Sequence, residues 1–119
     1  MAKVRNAKVY LTDRAITDLQ EIESYTTDKW SAAQAAKYLE AFERFFGLIE
    51  SEPGILVPVP GIDTLLTHSV GSHVVVCTKW NGDILVLTVV HASRDLLVVL
   101  ERLLPTLGFE VETMRKRLP

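Results

Sequence analysis

Apolar residues are most concentrated between positions 73 and 90, where two runs lie on either side of Asn81-Gly82. Both runs are rich in valine and other residues that favour β-strands. Asn-Gly readily adopts the positive φ angles of a tight type I′ turn, so the pattern predicts a β-hairpin with Trp80 opposite Asp83. Continuing this register predicts the pairs Lys79 with Ile84, Thr78 with Leu85, Cys77 with Val86 and Val76 with Leu87.

Alternation along the two strands assigns each residue to one of two faces. Both faces are largely apolar, so we expect both to be at least partly covered. The second face holds His73 and Lys79, which makes it the candidate working surface. The first face carries Val74, Val76, Thr78, Trp80, Leu85, Leu87 and Val89. The second carries His73, Val75, Cys77, Lys79, Ile84, Val86, Thr88 and Val90.

Two helices are predicted before this hairpin. The first follows Thr12 or Asp13, either of which supplies an N-cap oxygen. The second starts at the capping box of Ser31 and Gln34 and ends before Pro53-Gly54. Because only a few residues separate them, they should form an antiparallel helical hairpin. Their expected buried stripes are Ala15, Leu19, Ile22 and Thr26, with Ile16 and Tyr25 alongside, and then Ala35, Tyr38, Leu39, Phe42, Phe45, Phe46 and Ile49. The acidic residues of the first helix fall mostly outside its stripe, and we expect a solvated face there, with partner binding as the alternative: Asp18, Glu21, Glu23 and Asp28.

The remaining segments complete an α+β fold. Short strands are predicted at residues 8–11 and 64–69, and a turn is predicted at 70–72. A loop without regular structure is predicted at residues 52–64, which are rich in Pro and Gly. After Asp95, a leucine-rich helix should stop near Pro105 and Gly108. Residues 105–119 are then a C-terminal tail, with an added strand or a phosphate-contacting arm as alternatives.

The predicted order is an N-terminal strand, an α-helical hairpin, a three-stranded antiparallel meander and a C-terminal helix. In this layout the helices lie against one face of an antiparallel sheet. We find no internal domain boundary, so residues 1–119 are expected to form one domain.

Composition and cysteine content limit the classes of function. The chain has 48% apolar and 24% charged residues, as in a soluble globular protein. It has no membrane-length apolar run and no signal-peptide pattern, so a cytoplasmic protein is expected. Cys77 is the single cysteine and should be a small buried hydrophobe. One Cys and three scattered His give no metal-ligand spacing, and we expect no metal and no cofactor.

The net charge of −2 is unevenly distributed. Residues 13–52 contain nine acidic and four basic residues, a net charge of −5, so the rest of the chain is +3. General nucleic-acid binding requires a concentrated basic surface, and this balance argues against it. It leaves room for one local cationic patch on the sheet.

Several motifs resemble the RelE/ParE toxin superfamily over about residues 8–100. The first is Leu-Thr-x-x-Ala-x-x-Asp-Leu-x-x-Ile-x-x-Tyr, which runs from Leu11 to Tyr25. A second helix with Tyr38, Leu39 and Phe42 follows, and the last strand runs into His91-x-x-Arg94-Asp95. The resemblance implies a small cytoplasmic toxin of a bacterial toxin–antitoxin module. It also implies a cognate antitoxin that wraps the toxin with a helix or an extended segment.

The superfamily offers two activities. RelE-like members cleave messenger RNA on the ribosome, which needs a general base, a general acid and cations. The ParE-like branch inhibits DNA gyrase by binding, without covalent chemistry of its own. RelE-like nucleases typically place a tyrosine near the C-terminus and basic residues on the sheet. This chain has no Tyr after Tyr38, and its strands are rich in valine.

The first-helix motif and the His91–Asp95 junction therefore favour the ParE-like branch. This branch implies that the protein inhibits gyrase and has no catalytic residue. The candidate target- or antitoxin-binding residues are His73, Lys79, His91 and Arg94. The same four residues would be the candidates for nuclease chemistry, with Tyr10 as a more distant one.

Simpler interpretations remain for these residues. His91 can bond nearby backbone, and Arg94 with Asp95 can form a cap and a salt bridge at the strand-to-helix turn. The third functional class is a non-toxic interaction module that binds an antitoxin-like peptide or a second copy of itself. The leucine-rich last helix supports it, since its broad apolar face could pack on the sheet or be completed by another chain.

Overall fold

The computed structural model describes residues 7–92 and 95–118, which form a mixed five-stranded sheet with helices on both faces. The strand order is β1-β5-β4-β3-β2, with β1 parallel to β5 and all other neighbours antiparallel. The elements are β1 (Val9–Leu11), α1 (Asp13–Lys29), α2 (Ala32–Ser51), a 3₁₀ turn (Pro53–Ile55), β2 (Val57–Val59), β3 (Ile62–Val70), β4 (His73–Trp80), β5 (Asp83–His91) and α3 (Leu96–Arg117). The predicted α+β order of strand, helical hairpin, meander and C-terminal helix is confirmed.

The central hairpin has the predicted turn. Asn81 and Gly82 have φ angles of 50° and 80°, as a type I′ turn requires. Pairing follows the prediction from Trp80 with Asp83 back to Cys77 with Val86.

Beyond that pair the predicted register is wrong. Val76 pairs with Thr88, so Leu87 is an additional residue in β5, and the strand contains a β-bulge. The bulge changes the faces of the residues that follow it. Val89 packs in the core under α1 and α2, and Val90 packs in the core under α3, the reverse of the prediction. His91 now lies on the same face as His73.

The helical hairpin starts at the predicted caps and covers one sheet face. Thr12 Oγ1 accepts the Ala15 N–H at 3.1 Å, and Ser31 Oγ accepts the Gln34 N–H at 3.0 Å. Cys77 is fully buried in this core, where desolvation raises its pKa to about 12, so the prediction of a small buried hydrophobe is confirmed. The core side chains that the two helices contribute include Ala15, Ile22, Phe42, Phe45 and Ile49.

Residues 52–64 are more regular than predicted. Pro53–Ile55 form a 3₁₀ turn, and Val57–Val59 add an edge strand to β3. The prediction failed because β2 is an edge strand, and edge strands tolerate a proline such as Pro58.

The last helix differs most from its prediction. It starts at Asp95, whose carboxylate accepts the Val98 N–H, and runs through Pro105 and Gly108 to Arg117. The predicted stop near Pro105 is therefore wrong, and the described part of 105–119 is neither a frayed tail nor a strand.

Its buried residues explain why the helix continues. Leu100, Leu107 and Met114 recur every seven residues and pack on the sheet face opposite α1 and α2. Burying three large side chains, each worth about 1.5–3 kcal/mol, offsets the hydrogen bond that Pro105 cannot donate. The helices thus cover both faces of the sheet instead of one. Within the described residues, no helix is both long and apolar enough to cross a membrane.

Candidate binding groove

The first residues of α1 complete the exposed edge of β5. Strand β1 ends at Leu11, and the Thr12 N–H then donates to the Val86 carbonyl at 3.1 Å. The Thr12 hydroxyl donates to the Leu87 carbonyl at 2.9 Å. Asp18 Oδ2 accepts the Val89 N–H at 3.0 Å. Thr12 and α1 therefore satisfy the backbone groups of β5 that lie beyond the end of β1.

Thr88 links the same two elements. Its hydroxyl donates to Asp18 Oδ2 at 2.5 Å and accepts the Arg14 Nε–H at 3.2 Å. Ala15 is fully buried, and its small side chain lets the helix lie close to the strand. These contacts give a physical reason for the spacing of Thr12, Ala15 and Asp18 in the sequence motif: each position bonds or fits the bulged strand.

A groove of about 610 Å³ lies between α1, the start of α2 and the ends of β4 and β5. It is next to the bulge that α1 anchors. The helical wall is formed by Asp18, Glu21, Ile22, Tyr25 and Thr26. The sheet wall and the far end are formed by Ser72, His73, Val89 and His91, and by Trp30, Gln34 and Tyr38.

Tyr38 organises the base of the groove. Its hydroxyl lies 2.6 Å from His73 Nδ1 and 3.2 Å from the Val70 carbonyl, and it accepts the Ser72 N–H at 3.0 Å. One side chain of α2 therefore ties this helix to the turn at 70–72 and to the start of β4. Gly71 has a φ of 57°, and a Cβ placed there would lie 2.5 Å from Tyr38 Cε1.

Two histidines meet at the sheet wall. The rings of His73 and His91 are 5.1 Å apart in an edge-to-face arrangement. Burial lowers the pKa of the half-buried His73, and the nearby His91 lowers it further. His73 is therefore predominantly neutral near pH 7, since both effects oppose its charged form.

The four predicted site residues do not all come together. His73 and His91 line the groove, and the bulge is the reason they share a face. Lys79 is exposed near the hairpin turn, six residues and about 20 Å along β4 from His73. Arg94 lies outside the described residues. His68, at the other side of the turn, stacks on Phe45 at 4.9 Å instead of lining the groove.

The other groove residues are not among the predicted site residues. Tyr38 is predicted in the core, and Asp18 and Glu21 are predicted on a solvated face, with partner binding as the alternative. Tyr25 was placed beside the buried stripe, yet it is 62% exposed, and Trp30 is 71% exposed. A usable signal was present, because a tryptophan in the short connection between two helices has little core to pack against.

The groove is acidic on its helical wall. Asp18 and Glu21 contribute carboxylates, and the described lining includes neither Lys nor Arg. Across the described residues, no group of three or more His, Cys, Asp or Glu side chains is placed to hold a metal ion. The groove therefore presents aromatic rings, two carboxylates and two imidazoles to a binding partner.

Comparison with known proteins identifies the family. The sequence model described as the ParE toxin of the type II toxin–antitoxin system parDE matches residues 9–96, which include both walls of the groove. No curated protein matches the chain. A chain of the chromosomal ParDE toxin–antitoxin system from P. aeruginosa has a similar structure, with a TM-score of 0.65 and 12% sequence identity. The similarity covers 73% of this chain and 97% of that one, and at this identity it shows a shared fold. Since the family match spans most of the sequence, the chain belongs to the ParE toxin family of type II toxin–antitoxin systems.

Proposed function

We propose that this ParE-family toxin acts by binding and inhibiting DNA gyrase and is neutralised by a cognate antitoxin. The observation that carries the proposal is the family match over residues 9–96, which contain the α1 motif, the bulge in β5 and the groove. In this proposal the toxin has no catalytic residue, and its effect comes from capturing one conformation of its target.

The charge of the groove supports binding over RNA cleavage. A ribonuclease has to hold a phosphate and stabilise the extra negative charge of the transition state with cations. The described lining has no Lys or Arg, and Asp18 and Glu21 would repel a phosphate. His73 Nδ1 is also in contact with the Tyr38 hydroxyl, so only its Nε2 remains for proton transfer.

We assign the contact surface to the end of β5 and the start of α3. His91 is the last residue of β5 and pairs with His73 of β4, and Arg94 is the residue before Asp95 in the sequence. Lys79, about 20 Å away along β4, would contact a separate part of a partner.

A gyrase assay tests the proposal. Purified protein should inhibit supercoiling and accumulate cleaved DNA–gyrase complexes. Arg94→Ala should weaken inhibition at least tenfold while leaving the thermal unfolding temperature unchanged. Arg102→Ala is the matched control, because it removes an exposed arginine of α3 and should leave inhibition intact.

Other outcomes identify the alternatives. No inhibition at many-fold excess over gyrase would reject the mechanism. Cleaved transcripts in a translating extract would instead indicate a RelE-like ribonuclease. If expression without antitoxin leaves growth unaffected and neither assay responds, the chain is a non-toxic interaction module.

A further inference from the structure

We infer that the groove receives a positively charged, apolar-anchored segment of the antitoxin, with an arginine as the central contact. This inference rests on the proposed function in one respect, namely that an antitoxin is the partner. It adds the chemistry of the segment and the residues that recognise it.

Two exposed aromatic rings form the outer part of the groove. Tyr25 and Trp30 are 62% and 71% exposed, although large aromatic side chains are usually buried in a core of this size. Both line the groove and contribute to neither sheet-facing core cluster. Exposed Tyr and Trp beside a cavity are typical anchors of protein interfaces.

These rings can bind a cation. Lys29 Nζ already lies 5.8 Å from the centroid of Tyr25, so one face of that ring attracts a positive charge within the chain itself. A guanidinium is planar and weakly hydrated, and it stacks on aromatic faces better than an ammonium does. Arginine is therefore the side chain that these rings favour.

The charges of the groove also favour a positively charged ligand. Asp18 and Glu21 face the cavity, and within the described chain Glu21 forms no salt bridge. Residues 13–52, which form the two helices α1 and α2, carry a net charge of −5. An acidic segment would be repelled here, whereas an arginine between Glu21 and the rings would gain both charge pairing and stacking.

The size and floor of the groove suit a short segment. A volume of about 610 Å³ accommodates a few side chains and not a folded domain. Ile22 and Val89 are buried at its apolar floor, where an aliphatic residue next to the arginine, or the arginine stem, can pack.

Selection from a random peptide library tests the chemistry without assuming a sequence. Immobilised protein should enrich peptides of about 16 residues that combine Arg with Leu, Phe or Trp. The same selection on the double variant Glu21→Lys/Trp30→Ala should lose this enrichment. Enrichment of Asp and Glu on the wild type, or no enrichment at all, would overturn the inference.

Calorimetric titration of the strongest selected peptide tests the residues. Glu21→Gln and Tyr25→Ala should each raise its Kd at least fivefold, and added salt should raise the Kd for the wild type. Glu23→Gln is the matched control, because it makes the same change on the same helix outside the groove. Equal effects of Glu21→Gln and Glu23→Gln would show that the peptide binds elsewhere. Asp18 is left unchanged because it holds the bulge in β5.

The peptide experiments and the gyrase assay can reject the two proposals independently of each other. Peptide binding at the groove without gyrase inhibition would reject the proposed target and leave the groove inference in place. If the protein inhibits gyrase but Glu21→Gln and Tyr25→Ala leave the Kd of the selected peptide unchanged, only the groove inference is rejected.

Discussion

Tyr38 and Gly71 depend on each other at the base of the groove. The Tyr38 hydroxyl contacts three groups of the turn at 70–72 and of β4, and it can do so only because residue 71 has no side chain. Gly71 also has a positive φ of 57°, which L-residues with a Cβ rarely adopt.

Gly71→Ala should therefore destabilise the protein more than the same change at another turn. Gly82 has a φ of 80° but open space around its missing Cβ, so Gly82→Ala measures the backbone strain alone, about 1–2 kcal/mol. Gly71→Ala should cost about 1–3 kcal/mol more, because Tyr38 has to move. Urea unfolding of both variants gives the difference, and equal costs would contradict the close contact.

His73 should make stability depend on pH. Its pKa is below 6.5 in the folded protein because of burial and then because of His91, so the unfolded chain binds the proton more strongly. The free energy of unfolding should fall as the pH is lowered from about 7, through the unfolded value near 6.5, towards the lower folded pKa. Thermal unfolding between pH 7 and 5 measures this.

His73→Asn should flatten the profile in this range, and His68→Asn should keep the decline because His73 is still present. An unchanged profile in His73→Asn would assign the pH dependence to other groups.

At the scale of elements, α1 is joined to β5 by side chains as well as by packing. Asp18 accepts from the Val89 N–H and from the Thr88 hydroxyl, both next to the bulge. A buried donor that loses its partner costs about 1–3 kcal/mol.

Asp18→Ala should lower the free energy of unfolding by about 2–4 kcal/mol, because two donors lose a charged acceptor. Asp28→Ala is the control, as an exposed position on the same helix, and should change stability by less than about 0.5 kcal/mol. Denaturant unfolding compares them. Similar small effects would show that packing alone holds α1 on the sheet.

The second element with a testable feature is α3, which contains Pro105 and Gly108. Pro105→Ala should stabilise the protein by up to about 3 kcal/mol, because Ala supplies the N–H that the Glu101 carbonyl lacks. Gly108→Ala should add about 1 kcal/mol, and the space around its missing Cβ is open. Urea unfolding measures both gains. If the helix stopped near residue 105, neither change would stabilise it.

At the scale of the whole molecule, α3 is the cover of the second sheet face. The family match ends at residue 96, where this helix begins, so the cover lies almost wholly outside the matched region. Val74, Val76 and Leu85 are buried beneath it. Its far end is joined to the start of α1 by a two-point pair between Arg117 and Asp13, at 2.8 and 2.9 Å.

A chain ending at Asp95 should self-associate, because a large apolar face of the sheet becomes exposed. Light scattering after size-exclusion chromatography measures the change in mass. Arg117→Ala is the control, since it removes the ion pair but keeps the cover, and it should retain the mass of the wild type. A truncated chain with an unchanged association state would show that α3 is not needed as a cover.

Local signals in the sequence determined much of this fold. Asn81-Gly82 sets the hairpin, Thr12 and Ser31 start the two helices, and the apolar period gives their buried faces. Each signal acts through bonds between residues close in sequence, so it is readable without a structure. The motif from Leu11 to Tyr25 likewise indicates the superfamily from the sequence alone.

The tertiary structure alone decided the site. The bulge at Leu87 brings His91 to His73, and it is held by Thr12 and Asp18, which are 75 and 71 residues distant from their backbone partners. No pattern within β5 predicts this shift in register, because its apolar residues can pack on either face of the sheet. Pro105 likewise signals a helix end locally, and only the burial of Leu107 and Met114 against the sheet outweighs it. The turn of the central hairpin and the helix caps follow from neighbours in sequence, whereas the groove follows from contacts between distant segments.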